Sequence, residues 1–140
     1  MRVCAYVHIN KGVRMEEFVK PFKALSDETR LRILTILVKQ ECCVCEVMQA
    51  LNISQSRASR NLGILEEAGF LKSHHEGAWV HYALRDDSSN FAVMLAKMTG
   101  EFSDEDDLFK QDRERLKKAK RFGLCCTQKL SGRQKVSADK

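Results

Sequence analysis

Three cysteines, Cys42, Cys43 and Cys45, are the side chains of this 140-residue chain with the clearest chemical potential. Clustered thiolates are soft ligands that select As(III), Sb(III), Cd(II), Pb(II) or Cu(I) over hard cations. They also oxidise readily, so a redox role competes with metal binding. In an unbroken helix Cys43 and Cys45 would point about 200° apart, and we therefore expect one shared ion to unwind the first turn.

A short helix is expected to carry these thiols, from about residue 43 to residue 51, because apolar side chains recur there at helical spacing. A helix N-terminus lowers the pKa of a thiol, so we expect Cys42 and Cys43 to ionise readily. Cys42 has an equally good structural interpretation, as a small buried side chain.

The six cysteines of the chain do not predict a disulfide framework. Within each cluster they are too close together to link distant segments, and clustered thiols of this kind are typical of a reducing cytosol. No apolar run approaches the length of a membrane span, and polar residues interrupt the first 14 residues, where a signal peptide would be apolar. We expect a cytoplasmic protein with no membrane partner.

The net charge of +5 is concentrated at the C-terminal end. Residues 110–140 contain eleven lysines and arginines against three acids, a net charge of +8, which leaves −3 for residues 1–109. The basic character therefore belongs to the tail and does not by itself predict nucleic-acid binding.

Helices are predicted on both sides of the thiols. Residues 28–39 are apolar almost all round, which predicts a central core helix. Another helix is predicted from Gln55 to about residue 68, after an N-cap at Ser54. Residues 15–25 also have helical spacing, but Pro21 leads us to expect a regular helix only from about residue 19 or 20.

Residues 70–75 and 79–84 alternate as strands do, and the turn between them contains Gly77, which predicts a β-hairpin. Helices are predicted near 88–98 and 108–121. The order of elements predicts a mainly α fold with a small β-hairpin. Such a fold is a winged helix-turn-helix, and its flanking helices make it dimeric.

Four regions follow from this order. Residues 1–14 are expected to be an N-terminal arm that is either disordered or not native, and residues 15–100 the winged helix-turn-helix domain. Residues 101–126 carry the C-terminal helix and a cysteine pair. Residues 127–140 are expected to be a basic, disordered tail, because they have little to bury.

Four linked segments then form a recognisable series: FKALSDETRLRIL at 22–34, ECCVCE at 41–46, SQSRASRNL at 54–62 and AGFL at 68–71. Together they resemble the ArsR/SmtB family of winged-helix metal-sensing repressors, over residues 18–84. The resemblance implies a homodimer that binds an inverted-repeat operator in double-stranded DNA. It also implies release by As(III) or Sb(III), acting as inducer without a permanent cofactor.

The resemblance assigns residues to both activities. Cys43 and Cys45 are the implied metal ligands. The helix beginning at Gln55 is the implied reader of the major groove, where Gln55 can bind adenine and Arg60 can bind guanine or phosphate. A phosphate contact suits Arg57. The full set of expected DNA contacts is Gln55, Ser56, Arg57, Ser59 and Arg60.

Two departures from the family pattern matter. Met48 stands where arsenic-responsive members often have a third thiol, and residues 88–100 contain no histidine for the family's helix-borne zinc site, so that subtype is disfavoured. A trigonal As(III) site needs a third sulfur. The candidates are Cys42, Cys125, Cys126 and Cys4, from the same chain or its partner.

Alternatives remain open at this stage. The same repressor could sense Cd(II), Pb(II) or peroxide. A thiol redox enzyme is disfavoured, because the sequence offers no acid–base constellation or cofactor loop, and a metal-sequestering protein would not need the polar helix. The hairpin histidines His74, His75 and His81 are expected to be surface residues and not a metal site, because strand alternation splits them between two faces.

Overall fold

The computed structural model describes residues 14–121 and folds them into six helices and three strands. The Cys125–Cys126 pair, Cys4, the expected arm up to residue 13 and the expected tail lie outside the described residues. The elements are α1 (Met15–Leu25), α2 (Glu28–Lys39), β1 (Cys42–Cys43), α3 (Val44–Leu51), α4 (Gln55–Glu67), β2 (Leu71–Glu76), β3 (Trp79–Leu84), α5 (Phe91–Phe102) and α6 (Asp107–Lys118).

Helix α1 begins earlier than predicted. It starts at Met15 and contains Pro21 in its interior. The first turn closes before the proline, because Phe18 N–H donates to the Arg14 carbonyl at 3.1 Å. The ring of Pro21 is buried, so apolar burial offsets the single backbone hydrogen bond that proline cannot donate.

Helix α2 has the predicted bounds and lies at the centre of the core. Asp27 caps it, accepting a hydrogen bond from Arg30 N–H at 3.0 Å. Ile33 and Leu34 are completely buried. Helix α5 crosses α2 closely at Gly100, where a Cβ atom would lie 2.8 Å from Val38 Cγ1.

A tight turn joins α3 to α4, as predicted. Asn52 ends α3 in the left-handed conformation, with φ of 55°, which its short polar side chain tolerates. Ser54 then caps α4, accepting a hydrogen bond from Arg57 N–H at 3.2 Å. Gly69, with φ of 92°, follows α4 and directs the chain into β2.

The sheet has three antiparallel strands in the order β1-β3-β2, whereas the sequence predicted a two-stranded hairpin. Cys42 and Cys43 form the additional strand, with Cys42 opposite Tyr82 and Cys43 opposite His81. Two residues are too short to give a strand pattern in the sequence. The central position of β3 explains why neighbouring His81 and Tyr82 are both buried.

A buried carboxylate joins three helices. Asp112 on α6 is completely buried and accepts two hydrogen bonds from Arg32 of α2, at 2.8 and 2.7 Å. Arg115 also donates to it at 2.7 Å, and the same guanidinium donates to the Ala50 carbonyl of α3 at 2.7 Å. Charge-assisted bonds with this geometry fix α6 against both helices.

The surface of α1 and α5 is unusually apolar. None of the described helices is long and apolar enough to cross a membrane. Large exposed apolar side chains nevertheless concentrate on these two helices, at Met15, Phe18, Phe22, Phe91, Met94, Met98 and Phe102.

Replacing Asp112 should destabilise the fold more than any surface charge change on the same helix. Asp112→Ala leaves Arg32 without its partner, and loss of one member of a buried ion pair costs about 3–5 kcal/mol. Urea denaturation at fixed protein concentration measures the effect. Glu114→Gln, which removes an exposed carboxylate paired with Lys117, is the matched control and should leave the midpoint unchanged. Equal midpoints for the two variants would contradict a structural role for Asp112.

Candidate nucleic-acid interface and thiol cluster

Helix α4 presents a polar face at its N-terminal end. Ser56, Arg57 and Arg60 are exposed, while Gln55 and Ser59 are partly exposed. The opposite face is buried through Ala58, Asn61, Leu62 and Leu65. All five predicted DNA-contacting residues therefore lie in the first two turns, outside the core.

Polar contacts hold α4 against α2. Arg57 donates from Nη2 to Thr29 Oγ1 at 2.8 Å, although its side chain was expected to face phosphate. Arg30 donates to Asn61 Oδ1 at 3.3 Å, and Asn61 donates to the Arg57 carbonyl at 2.9 Å. These bonds fix the orientation of α4, and therefore of its exposed polar face, relative to α2.

The sulfurs of Cys43 and Cys45 lie 2.7 Å apart. The sequence prediction placed them about 200° apart on one helix, and this was wrong because Cys43 is the extended N-cap residue, with φ of −86° and ψ of 168°. The helix begins one residue later, at Val44, so the bend of the backbone turns both thiols to the same side. Two thiols can meet here without unwinding α3.

Burial, and not the helix terminus, governs thiol ionisation. Cys42, Cys43 and Cys45 are at most 1% exposed. Burial raises the pKa of Cys42 to about 12. Burial also raises the pKa of Cys43, with a further contribution from its hydrogen bond to Cys45. The expectation that Cys42 and Cys43 ionise readily is wrong. Desolvation of a buried thiolate costs more free energy than the interaction with a helix N-terminus provides.

Cys42 is separated from the other two thiols. Successive side chains of a strand point to opposite faces, so Cys42 and Cys43 face away from each other on β1. The Cys42 thiol instead donates to the Gln40 carbonyl at 3.6 Å. Cys42 thus has the buried environment that the sequence left as one of two alternatives.

The segment after α6 is tied to the thiol helix. Glu46 accepts a hydrogen bond from Cys43 N–H at 2.8 Å and another from Arg121 Nε at 3.1 Å. Gln49 donates to both the Cys45 carbonyl at 2.8 Å and the Lys120 carbonyl at 2.7 Å. The chain that leads to Cys125 and Cys126 therefore leaves the described structure beside the thiol pair.

The wing histidines do not all lie on the surface. His81 is only 1% exposed, and its ring stacks on that of His74, with centroids 5.3 Å apart. The two residues are cross-strand partners and share a face, whereas His75 pairs with Val80. Two carboxylates, Glu41 and Glu76, flank the His81 ring. The expectation of surface histidines was wrong for His81, because strand β1 covers that side of β3.

Comparison with known proteins decides the family. A model of bacterial regulatory proteins of the arsR family matches residues 27–73. The chain is 41% identical over 90 residues to the arsenic resistance transcriptional regulator ArsR1 of Pseudomonas putida, covering 61% of this chain and 70% of that protein. It is 46% identical over 84 residues to the arsenical resistance operon repressor of Escherichia coli, covering 59% and 69%. The chain belongs to the ArsR family. It is a transcriptional repressor and not an enzyme.

Solved structures of ArsR-type proteins agree with the fold. The homodimeric winged helix-turn-helix domain of Mb0332 from Mycobacterium bovis, a possible ArsR-family regulator, has a TM-score of 0.54 and 25% identity. The match covers 64% of this chain and 81% of that one. The winged-helix prediction is confirmed, with the third strand as an addition.

Sequence reasoning missed two clusters in this ArsR-family chain. Asp112 entered only as one charge of the basic tail, although an acid three residues before Arg115 on a helix is a recognisable pair. The Glu41, Glu76 and His81 cluster had no signal of its own, because its members come from three separate strands or strand ends.

The buried Cys42 thiol predicts a specific pH dependence of stability in this ArsR-family protein. Its pKa of about 12 in the folded chain exceeds the value near 8.5 of an exposed thiol. The stability it contributes is therefore complete below about pH 8.5 and is lost as the pH rises towards 12. Urea denaturation should show a loss of up to about 1.4 kcal/mol per pH unit from this group.

Cys42→Ala is the reference protein for that measurement, because it retains every other titrating group. The wild-type protein should lose stability faster than Cys42→Ala above about pH 9. Parallel curves for the two proteins would show that Cys42 is not buried as a neutral thiol.

Proposed function

We propose that this ArsR-family repressor binds an inverted-repeat operator as a homodimer and leaves it when As(III) or Sb(III) binds to Cys43 and Cys45. The DNA contacts are Gln55, Ser56, Arg57, Ser59 and Arg60. The observation that carries the proposal is a buried pair of adjacent thiols at the start of α3, the helix that packs against α4.

Buried thiols favour a metalloid over a divalent cation. In neutral arsenous acid, each thiol replaces one hydroxide: an S–As bond forms, an As–O bond breaks, and the thiol proton leaves with the hydroxide as water. Arsenic stays As(III), and three thiols give a product without net charge. Cd(II) or Pb(II) with three thiolates would instead leave a net negative charge in the core, which is costly to bury.

We propose that Cys125 or Cys126 supplies the third sulfur, and not Cys42. Cys42 faces away from the pair, whereas the chain beyond α6 is held against α3 by Glu46 and Gln49. Three residues lie between Arg121 and Cys125, so the four Cα–Cα steps reach at most about 14 Å.

Ligation acts on α3, because the ion and its third sulfur must be accommodated beside two side chains that are at most 1% exposed. Cys43 is paired into the sheet, and Cys45 lies in the first turn of α3. Because α3 packs on α4, its displacement reaches the DNA-contacting face.

A second copy of the chain is the occupant that fits the exposed apolar surface. The Phe91 ring lies 4.8 Å from Phe18 and 5.4 Å from Phe22, so α1 and α5 form one continuous apolar face. Apolar faces of this kind are typical of interfaces. A two-fold symmetric dimer presents two α4 helices to two half-sites.

Peroxide sensing is the second candidate, since the contact between the two sulfurs favours oxidation of the pair. The raised pKa of Cys43 opposes it, because the thiolate is the form that reacts. Peroxide that releases DNA without metalloid, with a disulfide mapped to these residues, would establish this candidate instead.

The combined variant Gln55→Ala/Arg60→Ala should lose specific DNA binding. Each bidentate base contact is worth about 1–3 kcal/mol, so affinity should fall by about 30-fold or more. Fluorescence anisotropy measures the affinity and the number of chains per complex, which should be two. The DNA is an inverted repeat that the wild-type protein selects from a random pool. Lys117→Ala removes an exposed charge on α6 and should bind normally. Unchanged affinity in the double variant would refute the assignment of α4.

The thiol assignment is tested by arsenite release. Cys43→Ser/Cys45→Ser should stay on the same DNA at arsenite concentrations that release the wild type, whereas Cys42→Ala should be released normally. Cys125→Ser/Cys126→Ser should need more arsenite. Normal release of Cys43→Ser/Cys45→Ser would refute the thiol site. An unaltered response of Cys125→Ser/Cys126→Ser would show that another thiol supplies the third sulfur.

The same titration at several pH values separates the inducers. Arsenite affinity should change little between about pH 6 and 8, because no net proton is released. Cd(II) affinity should rise about tenfold per pH unit for each proton released from a thiol. Steep pH dependence for arsenite would contradict binding by neutral thiols.

A further inference from the structure

Three strands bring one histidine and two carboxylates together on the wing. Glu41 precedes β1, Glu76 ends β2, and His81 lies in the middle of β3. One ligand atom from each lies within 4.8 Å of the other two. This cluster differs in chemistry from the thiol pair, since it offers nitrogen and oxygen donors only.

The histidine of this cluster lacks satisfactory hydrogen bonds. His81 is 1% exposed, and within residues 14–121 neither ring nitrogen has a hydrogen-bond partner of acceptable geometry. Nδ1 lies 3.3 Å from Glu41 Oε1, and Nε2 lies 3.5 Å from Glu76 Oε2. A buried polar group left in this state costs free energy, part of which a cation bound to one ring nitrogen would recover.

We propose that Glu41, Glu76 and His81 form a binding site for a borderline divalent cation such as Zn(II), next to the thiol pair but with no sulfur among its ligands. Ligand atoms around one tetrahedral zinc ion stand about 3.4 Å apart, so donors that lie up to 4.8 Å apart must close in by up to about 1.4 Å. His81 is fixed in the sheet, whereas the side chains of Glu41 and Glu76 are 41% and 70% exposed and free to adjust.

The donor set selects the class of cation. An imidazole with two carboxylates suits Zn(II) and similar first-row metals, whereas Mg(II) and Ca(II) prefer oxygen ligands alone. Arsenite requires sulfur and would not compete. His74 Nε2 lies 3.3 Å from Glu41 Oε1 and orients that carboxylate, as groups around a metal site commonly do.

A bound cation would change the wing in two ways. It would connect Glu41, the residue that precedes β1, with both strands of the hairpin. It would also neutralise two carboxylates on a surface element that approaches DNA phosphates in winged-helix proteins. Cation binding and DNA binding should therefore strengthen one another reciprocally.

The test follows the full-length chain through a Zn(II) titration by NMR of the histidine side chains. The ring nitrogens of His81 should shift on binding, which distinguishes this site from zinc on thiols. Co(II) should bind with visible absorption but no thiolate charge-transfer band at this site. Glu76→Gln removes a ligand. Loss of a residue that only supports a ligand weakens metal affinity about 10–100-fold, so Glu76→Gln should weaken the affinity for Zn(II) by more than that.

His75→Gln is the matched control, because His75 lies on the other face of the hairpin and is exposed. It should bind Zn(II) with unchanged affinity. The proposal is overturned if the His81 nitrogens do not shift when the Cys43→Ser/Cys45→Ser variant, which lacks the neighbouring thiol pair, is titrated with Zn(II). It is equally overturned if Glu76→Gln binds as tightly as the wild type. Both results are independent of arsenite release, so they leave the proposed metalloid function separately testable.

Discussion

The buried carboxylate of Asp112 is the constraint on which the rest of the arrangement depends. An unpaired charge could not remain in this position, so Arg32 and Arg115 must stay with it, and α6 must stay against α2 and α3. Helix α6 in turn covers the thiol helix and delivers the following segment to Glu46 and Gln49. The environment of the thiols is thus set by an ion pair that contains no sulfur.

Elements with a strong local pattern could be predicted from the sequence. The α2 bounds, the Ser54 cap and the hairpin turn all follow from apolar spacing and turn chemistry within a few residues. The face of α4 follows as well, because burial on a helix repeats with its period. The candidate DNA surface could be predicted for this reason, since its polar residues occupy the side of α4 opposite the buried apolar stripe.

Features that depend on distant residues could not be predicted. Strand β1 exists only because β3 lies beside it, and two residues carry no period of their own. Its presence reverses three local expectations: it moves Cys43 out of the helix, buries His81, and raises the pKa of Cys42 where a helix terminus would lower it. Predictions from neighbouring residues failed for these side chains, because residues distant in the sequence determine their surroundings.

Strand β1 also makes the thiol cluster part of the same sheet as the wing. Cys43 lies opposite His81 of β3, while Cys45 belongs to the helix that packs on α4. In the proposed mechanism, a displacement at these two sulfurs would therefore reach the hairpin through the sheet and α4 through α3. Both candidate DNA-contacting elements would then respond to a single binding event.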